Sequence, residues 1–172
     1  MSMQVNTMQG LFIEELRDLY SAENQLLRAL PQMASAAKSS TLKSAFEQHL
    51  EETRHHVERL SEIFSELGAS PTGKHCKGME GLIAEGNEVL QMQGDGDVRD
   101  AALIGAAQRV EHYEMAGYGV ARTFAKELGH KDIASKLQKT LDEEGAADKK
   151  LTGIAEGGLF KKGVNEKAIQ NN

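Results

Sequence analysis

The sequence predicts an all-α fold, a four-helix bundle built from two antiparallel helix hairpins and a long crossover that carries a short extra helix. Three observations predict it. Apolar residues recur at helical spacing in four long segments. Only two prolines, Pro31 and Pro71, interrupt the 172 residues. β-branched residues rarely cluster as strands require.

The length suits a single domain over 1–172, with a core at about 8–156 and a polar C-terminal tail. The first segment, about 8–38, carries the stripe Phe12, Leu16, Leu19, Leu26, Leu27, Leu30, Ala34, Ala37, with Pro31 inside it as an expected kink or loosened turn. Ser39-Ser40-Thr41 marks a turn, with Thr41 as the expected cap. The second, about 42–67, carries Leu42, Phe46, Leu50, Val57, Leu60, Ile63, Phe64, Leu67 and stops at Gly68, with Pro71 beyond. Residues 69–97 form the crossover, with a short amphipathic piece at about 79–92 and a breaker at Gly94-Asp95-Gly96-Asp97. The third segment, about 98–128, stops at Gly129, and the fourth, about 131–155, stops near Gly157-Gly158. Two short turns make two hairpins. The long connection lets the second pack parallel to the first. The last dozen residues are polar and expected to fray.

A net charge of −6 without a Lys/Arg cluster argues against a nucleic-acid partner; Lys161 and Lys162 read as a solvated tail end. No apolar run approaches a membrane span, and no signal peptide follows Met1. The single cysteine, Cys76, fits a reducing cytoplasm.

Several carboxylates fall where the apolar stripe should be. On a helical wheel Glu23 lies within about 20° of Phe12, Leu16 and Leu30. A buried carboxylate needs a cation, a proton or a partner. Glu111 and Glu114 share one face with Ile104, Ala107, Tyr118 and Ala125, and repel each other unless a metal lies between them. In the second segment Glu52 and His55 have the E-x-x-H spacing that puts a carboxylate and an imidazole on one face. Periodicity favours His56 over His55, and both remain candidates. His49 also lies on the apolar side, as an expected outer partner.

A displaced repeat singles out one member of Asp142-Glu143-Glu144. A shift of 91 residues lays Leu50 on Leu141, Glu52 on Glu143, Leu60 on Leu151 and Glu23 on Glu114. Glu23 and Glu52 are equidistant from the first hairpin turn, and Glu114 and Glu143 from the second. Each hairpin thus sets two carboxylates level across its interface. Glu144, nearer the stripe averaged over the whole segment, is the alternative to Glu143. The expected metal ligands are Glu23, Glu52, His55 or His56, Glu111, Glu114 and Glu143. Carboxylate oxygens with one or two imidazoles suit iron or manganese better than a soft-ligand metal, and two metal ions, iron first and manganese second, are expected.

The stretches YSAENQL, HLEET with VERL, MEGLIAEGNEV, RDAALI, VEHYE with YG, and LDEEGAAD resemble the YciE/YciF family of ferritin-like bacterial stress proteins, closest to its YciF branch. The resemblance covers nearly the whole chain. It implies a rubrerythrin-like or bacterioferritin-like four-helix fold, a dinuclear metal site, a homodimer and a link to stress. The wider ferritin-like pattern carries over to Glu23, to Glu52 with His55, to Glu111 or Glu114, and to Glu143. It departs at Ala146, where an E-x-x-H motif has its second imidazole. Three functions are consistent with the residues: a dimetal protein reacting with peroxide or oxygen, a metal-sequestering stress protein, and a helical scaffold. In the first, Tyr20 and Tyr118 lie near enough to bond a bound oxygen species, although ordinary core tyrosines also occupy such positions.

Overall fold

The computed structural model describes residues 5–158 and 161–170. Helices α1 (Met8–Ala36), α2 (Ser40–Glu66), α4 (Gly96–Glu127) and α5 (Lys131–Glu156) form the bundle, and α3 (Lys77–Leu90) rides the crossover. The elements match the sequence expectation to within a few residues at each end. No helix among the described residues is long and apolar enough to cross a membrane.

Local chemistry sets the boundaries. Thr7 caps α1 by accepting from Gly10 N at 3.0 Å, and Asp95 caps α4 by accepting from Asp97 N and Val98 N. The cap of α2 is Ser39, which accepts from Leu42 N, rather than Thr41. Pro31 does not end α1, which continues to Ala36. Gly68 and Gly129 take positive φ values of 62° and 81°. There Ala69 N returns to Phe64 O and His130 N to Ala125 O, closing both helices as Schellman motifs.

Helix α1 pairs with α2 and α4 with α5, while α1 meets α4 and α2 meets α5 across the bundle. The two hairpins are not parallel, as first expected, but run opposed. Tyr118 of α4 bonds Glu23 midway along α1, whereas Asp100, near the start of α4, receives Lys38 N and Ser39 N just past the end of α1, at 2.9 and 2.7 Å. The crossover is the cause. Ser70, just past α2, is held by Arg17 near the start of α1, and α3 then packs along α1 and α4, returning the chain to the opposite end. Asp100 is fully buried, and its two bonds to turn amides lock the start of α4 to the first hairpin turn.

The apolar core falls into two clusters, one around Phe12, Leu16, Phe64 and Leu137, the other around Leu30, Phe46, Leu103 and Leu151. The C-terminal segment differs from the frayed tail expected. Gly157–Gly158 pairs antiparallel with Lys161–Lys162 (β1 and β2), and α6 (Val164–Gln170) packs on α4 and α5. Val164 supplies the anchor by inserting into the second core cluster. Residues 171–172 of that expected tail, and 1–4 at the other end, lie outside the described residues.

Candidate metal centre

Polar groups occupy the middle of the bundle. Each long helix contributes through its inward stripe: Glu23 from α1, His49 and His56 from α2, Glu111 and Glu114 from α4, and Glu144 from α5. All six are buried, His49 the least so at 6% exposure. Their donor atoms form two groups, each within 4.8 Å: His49, Glu111, Glu114 and Glu144, and Glu23, His56 and Glu144. Glu144 belongs to both, so it stands between two adjacent positions.

The contacts inside the cluster are close. His49 Nε2 lies 3.3 Å from Glu111 Oε1 and 3.8 Å from Glu144 Oε2. His56 Nδ1 lies 3.0 Å from Glu144 Oε1 and 3.3 Å from Glu23 Oε1. These have the length of ion pairs but not the direction of hydrogen bonds. His49 Nε2, His56 Nδ1, Glu23 Oε2, Glu111 Oε2 and both oxygens of Glu114 and Glu144 have no hydrogen-bond partner. One orphaned buried polar atom costs roughly 1–3 kcal/mol. So many, converging on one volume, fit the lone pairs of a ligand shell. Four carboxylates and two imidazoles are the donor set of a ferritin-like dinuclear centre.

The outer nitrogens explain how the imidazoles are aimed. His49 Nδ1 lies 3.4 Å from Glu52 Oε2, and His56 Nε2 lies 3.1 Å from Glu143 Oε2. A proton on each outer nitrogen, donated to its carboxylate, leaves the inner lone pair free for a metal. Arg59 holds Glu143 in turn at 2.8 Å, and Tyr118 donates to Glu23 Oε1.

The structure brings together Glu23, His56, Glu111 and Glu114 of the residues singled out by sequence. It places Glu52 and Glu143 one layer outward, where each is about one-third exposed. Glu144 takes the inner position that had been weighed against Glu143. His55 points to solvent, with its side chain 67% exposed and bonded to Glu58. It immediately precedes His56, and one step along the helix turns it about 100° away. The second imidazole, expected to be absent for want of a histidine in α5, comes from His49 on α2. Tyr118 meets the cluster, whereas Tyr20 packs edge-on against Phe64.

Electrostatics follow from burial. Burial pushes Glu111 and Glu114 well above the ordinary carboxylate range, and neighbouring carboxylates add to it for Glu114. Burial likewise raises Glu23. Burial opposes protonation of the two imidazoles, but Glu111 and Glu52 raise His49 to about 9, and Glu144 and Glu23 raise His56 to about 11. Burial also opposes ionisation of Glu144, yet the contact with charged His56 holds it below its usual value.

These directions give a pH prediction for the metal-free protein. A group whose pKa is raised on folding stabilises fully below its unfolded value and loses that contribution as pH climbs through its folded value. The carboxyls held up by burial act in the same sense. Groups with lowered values, Glu144 and Glu52, act only in the acid range. The melting temperature in chelator should therefore fall from pH 6.5 to pH 9, as followed by circular dichroism. A flat or rising profile would contradict the cluster's electrostatics.

Comparison with known proteins agrees with this architecture. Residues 7–168 match the family model described as Domain of unknown function (DUF892). The chain belongs to this family. Protein YciF of Escherichia coli (strain K12) is 46% identical over 165 residues, covering 95% of this chain and 99% of its own. The crystal structure of the E. coli stress protein YciF superposes with a TM-score of 0.87 over 92% of this chain and 100% of that one. YcfI from Rhodopseudomonas palustris is 43% identical, with a TM-score of 0.86 over 90% of this chain and 99% of that one. A Bacillus anthracis str. Ames structure of ferritin-like, diiron-carboxylate proteins reaches a TM-score of 0.68 at 18% identity, covering 86% and 97% of the two chains, a likeness of fold alone. This DUF892 chain therefore has a ferritin-like helical fold.

Proposed function

We propose that this DUF892 chain is a ferritin-like stress protein that binds two metal ions, iron or manganese, and reacts with peroxide or dioxygen. The observation that carries this reading is the pair of buried donor groups sharing Glu144, with their inner atoms left without hydrogen-bond partners. Carboxylates and imidazoles in this ratio favour iron and manganese over metals that prefer thiolates. The stress assignment draws on the E. coli relative, whose name includes it. A homodimer, implied by the resemblance, and a cytoplasmic setting belong to the same proposal.

His49, Glu111 and Glu114 would hold one ion, Glu23 and His56 the other, with Glu144 reaching both. A pair of such ions supplies two one-electron changes side by side, which matches the two-electron chemistry of peroxide and dioxygen. Glu52 and Glu143 orient the imidazoles, Tyr118 fixes Glu23, and the apolar layers above and below exclude water. A second reading, retention of metal without turnover, is favoured by the near-complete burial of all six donors.

Elemental mass spectrometry of the purified protein tests the first claim. About two irons or manganeses per chain are expected, one for each donor group. No metal, even after anaerobic reconstitution with ferrous or manganous ion, would return the chain to the scaffold reading. Metal-dependent loss of peroxide then separates turnover from retention.

A further inference from the structure

We propose that small oxygen species, dioxygen or hydrogen peroxide, reach the centre by a narrow route between α2 and α5 beside Ala147, and meet only the metal position held by His49 and Glu111. The inference rests on the dinuclear reading and adds the ligand's size, its path and the position it binds.

Among the described residues, two of the openings touch side chains of the centre or its outer carboxylates. The larger is a surface groove of about 610 Å3 lined by Glu52, Glu143, Arg59 and Lys136. It touches only the outer carboxylates. Its floor at Glu143 is closed by the ion pair to Arg59 at 2.8 Å and by the bond that Glu143 accepts from His56 Nε2.

The smaller is a cavity of about 20 Å3 between α2 and α5. Its lining runs from exposed Lys150 and partly exposed Glu52, which it shares with the groove, through Ala45, Phe46, Ala147 and Leu151 to His49 and Glu111. The two inner residues are 6% and 2% exposed, and each carries an atom without a hydrogen-bond partner, His49 Nε2 and Glu111 Oε2. The cavity thus ends on two residues of one metal position, each carrying an unsatisfied donor atom. Glu23 and His56 do not line it, and Tyr118 is fully buried against Glu23 on their side. The two positions are therefore unequal in access.

The volume sets the ligand class. A cavity needs about 10–15 Å3 to admit one water. The space accepts a water-sized molecule, and a diatomic oxygen species of similar cross-section can pass end-on, whereas a branched organic substrate cannot. Ala147 lies three residues beyond Glu144 and so faces the same side of α5. With Ala45 across from it on α2, it supplies one of the two methyl groups that make the wall small, and it is the one carried on the helix of Glu144.

The test uses nitric oxide as a diatomic probe of the full-length, ferrous-loaded protein under anaerobic conditions, read by its visible absorption in stopped flow. Ala147→Leu should keep the iron stoichiometry and slow nitric oxide association by about tenfold or more, because added methylenes fill the passage. Ala147→Gly should speed it. One nitric oxide should bind per pair of irons. If the leucine variant does not fold or load iron, Ala147→Val provides the same comparison with less added volume. Unchanged association rates in variants that retain iron overturn the route, and two nitric oxides per pair overturn the inequality of the positions. A wild-type chain that takes up no iron overturns the dinuclear reading itself.

Discussion

Glu144→Ala is expected to empty both metal positions at once. Among the described residues no other belongs to both donor groups, so its loss removes a ligand from each ion and the carboxylate between them. The fall in affinity should exceed the roughly 10–100-fold typical of changes to groups that only orient a ligand. Glu143→Gln is the matched control, one residue away on the same helix. Its side chain bonds His56 Nε2 and Arg59, and it should weaken binding within that smaller range. His55→Ala should change nothing, since His55 faces solvent beside Glu58. Titration of the three variants with ferrous ion, followed by elemental analysis, ranks them. Equal losses in Glu143→Gln and Glu144→Ala would remove the distinction between inner and outer carboxylates.

That distinction was only half legible in the sequence. The four helices, their stops at Gly68 and Gly129 and the anomalous Glu23, Glu111 and Glu114 could all be read from apolar spacing. The displaced repeat was informative too, because Glu23 to Glu52 and Glu114 to Glu143 span the same number of residues, so the two hairpins share one internal register. It matched Glu52 to Glu143, however, and these share a flanking position rather than the seam. The inner face of α2 runs Leu42, Phe46, His49, Thr53, His56, Leu60, Ile63, and that of α5 runs Leu137, Thr140, Glu144, Leu151, Ala155. The first alternates steps of four and three residues, and the second keeps seven-residue spacing from Leu137 to Glu144 to Leu151, a period of 3.5. A straight-helix wheel drifts by about 20° per seven residues against such a seam. Over a long helix this drift moves the apparent centre of the stripe by a whole residue. Read at 3.5, α2 offers His49 and His56 and excludes Glu52 and His55, and α5 offers Glu144. The direction of the second hairpin had no such signal, because it depends on which end of the bundle the crossover reaches.

The metal-free protein should become more stable when Glu114 is replaced by methionine. Glu114 is fully buried, neither of its oxygens has a hydrogen-bond partner, and burial together with Glu23, Glu144 and Glu111 opposes its ionisation. In the absence of metal the side chain therefore imposes a desolvation cost with no compensating bond. Methionine fills a similar volume with apolar atoms, which removes an unsatisfied buried polar group that costs roughly 1–3 kcal/mol. Denaturant unfolding in chelator should show the gain as a higher midpoint at unchanged slope. The sign should reverse once ferrous ion is supplied. Wild type then gains stability through ligand binding, while the variant, short of one oxygen ligand at the His49 position, gains less. A metal-free variant less stable than wild type would mean that Glu114 already holds the core together without a cation. In that case the buried acids serve the fold. The crossing of the two stability orders is what separates a site strained to receive metal from a polar core that merely tolerates its own charges.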